Sequence, residues 1–198
     1  MLGNGRIRTD LALETTERFT EEHVEIRGVE IREDYDQEKD IRTTVVKITT
    51  ENGAKAMGRP QGNYITIEAP DLSAADEGYH REISEEIAKH LRSLIDLDHE
   101  KSILVVGLGN QAVTADSLGP HVVKNLHMTR HIIREYGQKN LGKEEMHRTS
   151  GIIPGVMAQT GMETSEIVQG IVDETKPDVV IAVDALAARS VRRLNRTV

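Results

Sequence analysis

The 198-residue chain fits one domain of ordinary size, or one domain with a small appendage, and is long enough to bury a core. It has no cysteine, which excludes disulfides, zinc–thiolate sites and every cysteine-nucleophile mechanism, and fits a reducing compartment. The formal charge of -8, a pI near 5.5 and only 3% aromatic residues argue against a nucleic-acid surface, which needs a basic face and stacking rings. No apolar run approaches the roughly 20 residues of a spanning helix, and MLGNGRIRTDLALE lacks a signal-peptide core. These features predict a soluble intracellular protein with no membrane partner.

Residues 1 to about 22 are polar, charged and without period, which predicts a flexible leader meeting a folded body near His23. Residues 23–70 carry short β-type runs, VEIRGVEIRE, RTTVVKITT and NYITIEA, separated by EDYDQEKD and MGRPQGN. They predict a small meander or edge addition. From 74 to 97 a helical stripe of Ile83, Ile87, Leu91 and Leu94 follows, with Glu85 four residues before Lys89 for an exposed ion pair.

Residues 74–198 read as an α/β core. SILVVG at 102–107 is a continuous apolar strand of the kind buried on both faces, ending in the loop Gly107-Leu-Gly-Asn110. SLGPHVVKNL and TRHIIREYG read as helices, with Pro120 confined to a first turn. After the polar link GQKNLGKEEMHRTS comes GIIPGVM, then a helix near 163–175 with Thr164 or Ser165 as cap and Lys176-Pro177 as its end. DVVIAVD at 178–184 is the second strongly buried strand, and ALAARSVRRL is expected to be helical. The alternation predicts an α/β fold with a mostly parallel sheet, helices on both faces and a β-rich N-terminal extension.

In open α/β sheets the ligand crevice lies beyond the carboxyl ends of the strands. Asp184 directly follows Val179 to Val183 and precedes Ala185, Leu186 and Ala187, so its carboxylate is expected in a dry neighbourhood. Asp116 lies beyond the glycine loop, in Thr114-Ala-Asp-Ser-Leu-Gly-Pro120. If the strands are neighbours, the carboxylates form a pair in which one keeps a proton and the other accepts one from water, as amide hydrolysis requires. An aspartate at a helix start is often only a cap, and one at a strand end a turn former, so position alone leaves both roles open.

Other signals are weaker. Gly107 to Ala112 fits the G-x-G-x-x-G/A fingerprint and makes a nucleotide-binding or regulatory module the first alternative. Against it, the loop leads into Thr114 to Pro120, and His127, Arg130 and His131 stand where an acidic ribose contact belongs. His127 and His131, spaced i, i+4, are a candidate metal pair on one helix face, but Met128 replaces the glutamate of the zinc-protease motif. There is no G-x-S-x-G elbow. Arg189, Arg192 and Arg193 read as a solvated or interface face.

Five stretches together carry a resemblance across most of the chain: Arg8-Thr-Asp-Leu-Ala12; Val105-Val-Gly-Leu-Gly-Asn110 with Thr114 to Pro120; Thr129-Arg-His131; Pro154-Gly-Val-Met157 with Thr160-Gly-Met-Glu-Thr164; and Ala182-Val-Asp-Ala-Leu-Ala-Ala-Arg189. The sequence resembles the spore germination proteases of endospore-forming bacteria. The resemblance implies an atypical aspartic-type endopeptidase of the spore core, made as a zymogen and tetrameric, that degrades small acid-soluble spore proteins with catalytic residues at Asp116 and Asp184. It implies no cofactor. The fold is similar to that of hydrogenase-maturation proteases, whose use of nickel keeps a metal-assisted endopeptidase as a variant. Family activation cuts follow an acidic residue before an apolar residue and alanine, so Asp10 and Leu11 flank the expected cleavage, giving a leader at 1–10 and a single α/β protease domain at 11–198. Family chains run well beyond Val198, so the sheet is expected to be incomplete at its C-terminal side.

Overall fold

β-Branched residues set the first sheet. The structure, a computed structural model, describes residues 11–21, 26–70, 72–74, 76–140 and 146–198. The expected β-rich segment is an antiparallel meander of β1 (Val29–Asp36), β2 (Ile41–Ile48) and β3 (Gly62–Glu68), in the order β1-β2-β3. Central β2 is buried on both faces. Its alternation sends Val46 and Ile48 to one side, against Ala12 and Met57, and Ile41 to the other, with Ile67, Ala69 and Ile83. The first side is covered by α1 (Ala12–Glu21) and α2 (Glu51–Met57), the second by α3 (Glu77–Leu94).

Both covering helices of the first side depart from the sequence reading. Leu11, Ala12 and Leu13 are buried, so the polar stretch expected to be a leader up to about residue 22 enters the core from Leu11 onward. Thr50 caps α2, its hydroxyl accepting from the Gly53 N–H at 3.1 Å, and Gly58 closes the helix at φ 63°. In α3, Ile83 is buried as expected, but Leu91 and Leu94 are exposed. The ion pairs there are Arg81–Glu85 and Lys89–Glu86 rather than Glu85–Lys89. Residues 196–198 pair antiparallel alongside the end of β3: Ile67 and Val198 exchange backbone hydrogen bonds, and the Ala69 N–H donates to the Arg196 carbonyl at 2.7 Å.

The second sheet is parallel, in the order β5-β4-β6, formed by β4 (Ser102–Gly107), β5 (Arg148–Ile152) and β6 (Val179–Val183). Ile103 to Val106 are buried, as the unbroken apolar run requires. Helices α4 (Leu118–Asn125) and α5 (Arg130–Tyr136) follow β4, and α4 supplies Val123 to a core with Ile103, Val105, Ile181 and Val183. Between β5 and β6 come α6 (Met157–Thr160) and α7 (Thr164–Thr175), the latter beginning and ending close to where the sequence indicates. The fold is the expected α/β class.

Three features of this region depart from the reading. β5 spans the end of the polar link and the start of GIIPGVM, and its RTSGI sequence has no strand-like alternation. β6 is an edge strand whose alternate residues are exposed, including Val180. ALAARSVRRL is not an α-helix; only Val191–Arg193 forms a 3-10 turn. The chain divides into two compact units, residues up to Leu94 with Leu186–Val198, and Ile95–Ala185. Among the described residues no helix is long and apolar enough to cross a membrane.

Candidate active site

β4 and β6 run side by side with Gly107 opposite Val183, and the Leu108 N–H extends the ladder by donating to the Val183 carbonyl at 2.8 Å. The chain then turns at Gly109, whose φ of 108° lies where L side chains are rarely found. A Cβ there would collide with the Asp116 carbonyl and lie 3.0 Å from Asp116 Oδ1. Gly119, in the first turn of α4, faces the Val183 carbonyl and the Leu108 backbone so closely that no side chain fits. These two glycines let residues 108–110, 116–119 and 183–184 share one edge of the sheet.

Both sequence-predicted aspartates lie on that edge. Asp116 closes a 3-10 turn, Thr114–Asp116, just before α4. It is half-buried, and its Oδ2 accepts from the Asn110 N–H at 2.7 Å. Asp184 leaves β6 one residue after Val183, and its Oδ1 accepts from the Ala185 N–H at 2.8 Å. Among the described residues, Asp116 Oδ1 and Asp184 Oδ2 accept no hydrogen bond from the protein. Asp184 is exposed, which corrects the expected dry setting: the strand that carries it is at the sheet edge, and only alternate residues of β6 are shielded.

The sequence of residues 7–198 matches the family described as germination protease. This chain belongs to the germination protease family. It is 48% identical over 192 residues to the germination protease of Caldanaerobacter subterraneus subsp. tengcongensis, covering 97% of this chain and 57% of that protein. Germination proteases of Clostridium tetani (43% over 193 residues; 97% and 58% covered) and Priestia megaterium (40% over 201 residues; 97% and 53% covered) are similarly related. The chain therefore spans little more than half the length of the curated relatives it matches.

Other candidate residues fall elsewhere. His127 and His131 do not share a helix: α4 ends at Asn125, Leu126 is extended, and only His131 lies on α5. Among the described residues no group of three or more histidine, aspartate or glutamate side chains is arranged to hold a metal. The Gly107 to Ala112 loop runs through the 3-10 turn before α4, unlike the direct strand-to-helix entry of a dinucleotide site. Asp10 lies outside the described residues, whereas Leu11 is buried.

The arginine cluster is not uniformly solvated. Arg193, largely buried, donates to Glu17 Oε1 at 2.6 Å, Glu68 Oε1 at 3.0 Å and Glu14 Oε1 at 3.2 Å. These partners, Glu17 first and then Glu68, hold its guanidinium charge more firmly than usual against the opposing effect of burial. Glu14 also accepts the backbone N–H groups of Arg189 and Ser190, each at 2.9 Å. Those amides are thereby used outside any helix, which accounts for the missing helix over ALAARSVRRL.

Two side chains near the aspartates escaped the sequence reading. Asn110 Oδ1 accepts from the Ala112 N–H at 3.0 Å and from Gln159 Nε2 at 3.2 Å. The signal was present, since Asn110 ends the glycine-loop motif and Gln159 sits between the Pro154 to Met157 and Thr160 to Thr164 stretches.

Proposed function

We propose that this chain carries the aspartate pair of an endopeptidase that begins the degradation of small acid-soluble spore proteins during germination in the spore core. The observation that carries the reading is the shared edge: Leu108 is bonded to Val183 beside Asp184, while Gly109 abuts Asp116. Each carboxylate is oriented by one backbone N–H and keeps one oxygen unbonded by the described protein. One ionised carboxylate accepts a proton from water as the water attacks the scissile carbonyl. The other, protonated, donates its proton to the carbonyl oxygen. The first, now carrying the proton taken from water, passes it to the departing amine as the C–N bond breaks, and the second regains a proton from the gem-diol hydroxyl.

The same reading includes a zymogen, with residues 1–10 as leader and Asp10-Leu11 as the activation bond, and assembly as a homotetramer. Leu11, Ala12 and Leu13 are buried, so the proposed cut falls where the chain enters the core. An Asp10→Ala chain is expected to retain its leader. N-terminal sequencing that finds Leu11 at the start of that variant would reject the assignment.

The catalytic reading is tested by digesting a purified small acid-soluble spore protein with the protein at its full natural length. Asp116→Asn or Asp184→Asn is expected to slow cleavage by at least about 100-fold. Wild-type cleavage by either variant removes that residue from the mechanism.

A further inference from the structure

We infer that Gln159 is a positioning residue for Asp116, acting through Asn110; the inference rests on the aspartate reading above. Gln159 uses both ends of its amide. Its Oε1 accepts from the Val156 N–H at 3.3 Å, which ties the side chain to the start of α6, and its Nε2 donates to Asn110 Oδ1 at 3.2 Å. Asn110 in turn donates its backbone N–H to Asp116 Oδ2 at 2.7 Å, a charge-assisted length. A continuous relay thus runs from the segment after β5 to the carboxylate beyond β4.

The relay has a specific task. Gly109 gives the peptide before Asn110 a freedom of rotation that other residues lack, and rotation there would turn the Asn110 N–H away from Asp116. Holding Asn110 by its side-chain oxygen, from Ala112 on one side and Gln159 on the other, fixes that N–H on Oδ2. Asp116 Oδ1 is then the oxygen presented to water. Gly155 keeps the path open, since a Cβ there would lie 2.9 Å from Gln159 Oε1.

Gln159→Glu separates the two halves of this arrangement. It keeps the oxygen that accepts from Val156, removes the donor to Asn110, and sets two acceptors against each other. Amide hydrogen exchange by NMR is expected to show the Asn110 N–H exchanging about tenfold faster than in the wild type, with the Val156 and Leu104 amides unchanged. At full natural length the variant is expected to lose about tenfold in kcat against a small acid-soluble spore protein, with KM within about twofold.

Unchanged Asn110 protection in Gln159→Glu overturns the inference. So does full kcat alongside lost Asn110 protection, in an enzyme that Asp116→Asn inactivates. If Asp116→Asn itself cleaves normally, the aspartate reading falls, and with it the catalytic meaning of the relay.

Discussion

Two kinds of carboxylate stand in contrast in this protein. Glu14, in the unit built on the antiparallel sheet, is 1% exposed, and its oxygens take two backbone N–H groups and the Arg193 guanidinium. Asp116 and Asp184, in the unit built on the parallel sheet, each accept one backbone N–H among the described residues and keep the second oxygen unbonded. A carboxylate whose lone pairs are committed in a buried site holds structure. One that is oriented through a single oxygen leaves the other open to water, as the proposed catalytic role requires. The expected consequences of mutation are therefore opposite in the two regions.

The largest effect expected is on catalysis. Asp184→Asn should cost at least about 100-fold in cleavage at full natural length, while in the 198-residue chain, where the side chain is exposed, it should change unfolding free energy by no more than about 0.5 kcal/mol. Paired kinetics and urea denaturation check both halves. Glu14→Ala should do the reverse to stability, costing about 3 kcal/mol by leaving Arg193 under-compensated and two backbone N–H groups without their acceptor. A urea midpoint equal to that of the wild type would erase the contrast.

Gly109→Ala comes next, with a loss of about 2 kcal/mol from a positive φ and a Cβ driven into the Asp116 carbonyl. Thermal unfolding reads it directly. Smallest is Glu86→Gln on α3. Burial raises the Glu86 pKa, but its bonds with Lys89 and His90 outweigh that and leave it below the ordinary carboxylate range. A depressed folded pKa gives stability that is present above the unfolded value and lost as pH falls through the folded one. The wild type should exceed Glu86→Gln by less than about 1 kcal/mol at neutral pH, given solvent screening, and the gap should close in acid. A gap that widens in acid would contradict the sign.

The parts of the fold that sequence revealed are those where periodicity and burial agree: the β2 alternation, the unbroken SILVVG run and the first part of the α3 stripe, at Ile83. The failures have particular causes. α1 is no more polar than α3, but one of its buried residues is Glu14, stabilised by partners far along the chain, and a glutamate reads locally as a solvent-facing residue. α2 contains Gly53, a poor helix former that is buried near Val29. ALAARSVRRL has helical propensity that yields to the capture of the Arg189 and Ser190 amides by Glu14. For the site, strand-end position and motif resemblance pointed to Asp116 and Asp184 as candidates, but exposure at Asp184 follows from β6 being an edge in this chain, which a local apolar run does not encode. The Gln159–Asn110 link joins residues 49 apart in sequence and emerged only when the loops were seen together.

The central claim is that Asp116 and Asp184 work as one unit. The direct measurement is a double-mutant cycle on kcat/KM, comparing Asp116→Asn, Asp184→Asn and the double variant at full natural length with a small acid-soluble spore protein as substrate. Groups that share one proton-transfer event are expected to give a double variant no slower than the worse single variant. Losses that multiply independently, or a single variant that cleaves at the wild-type rate, would contradict the pair.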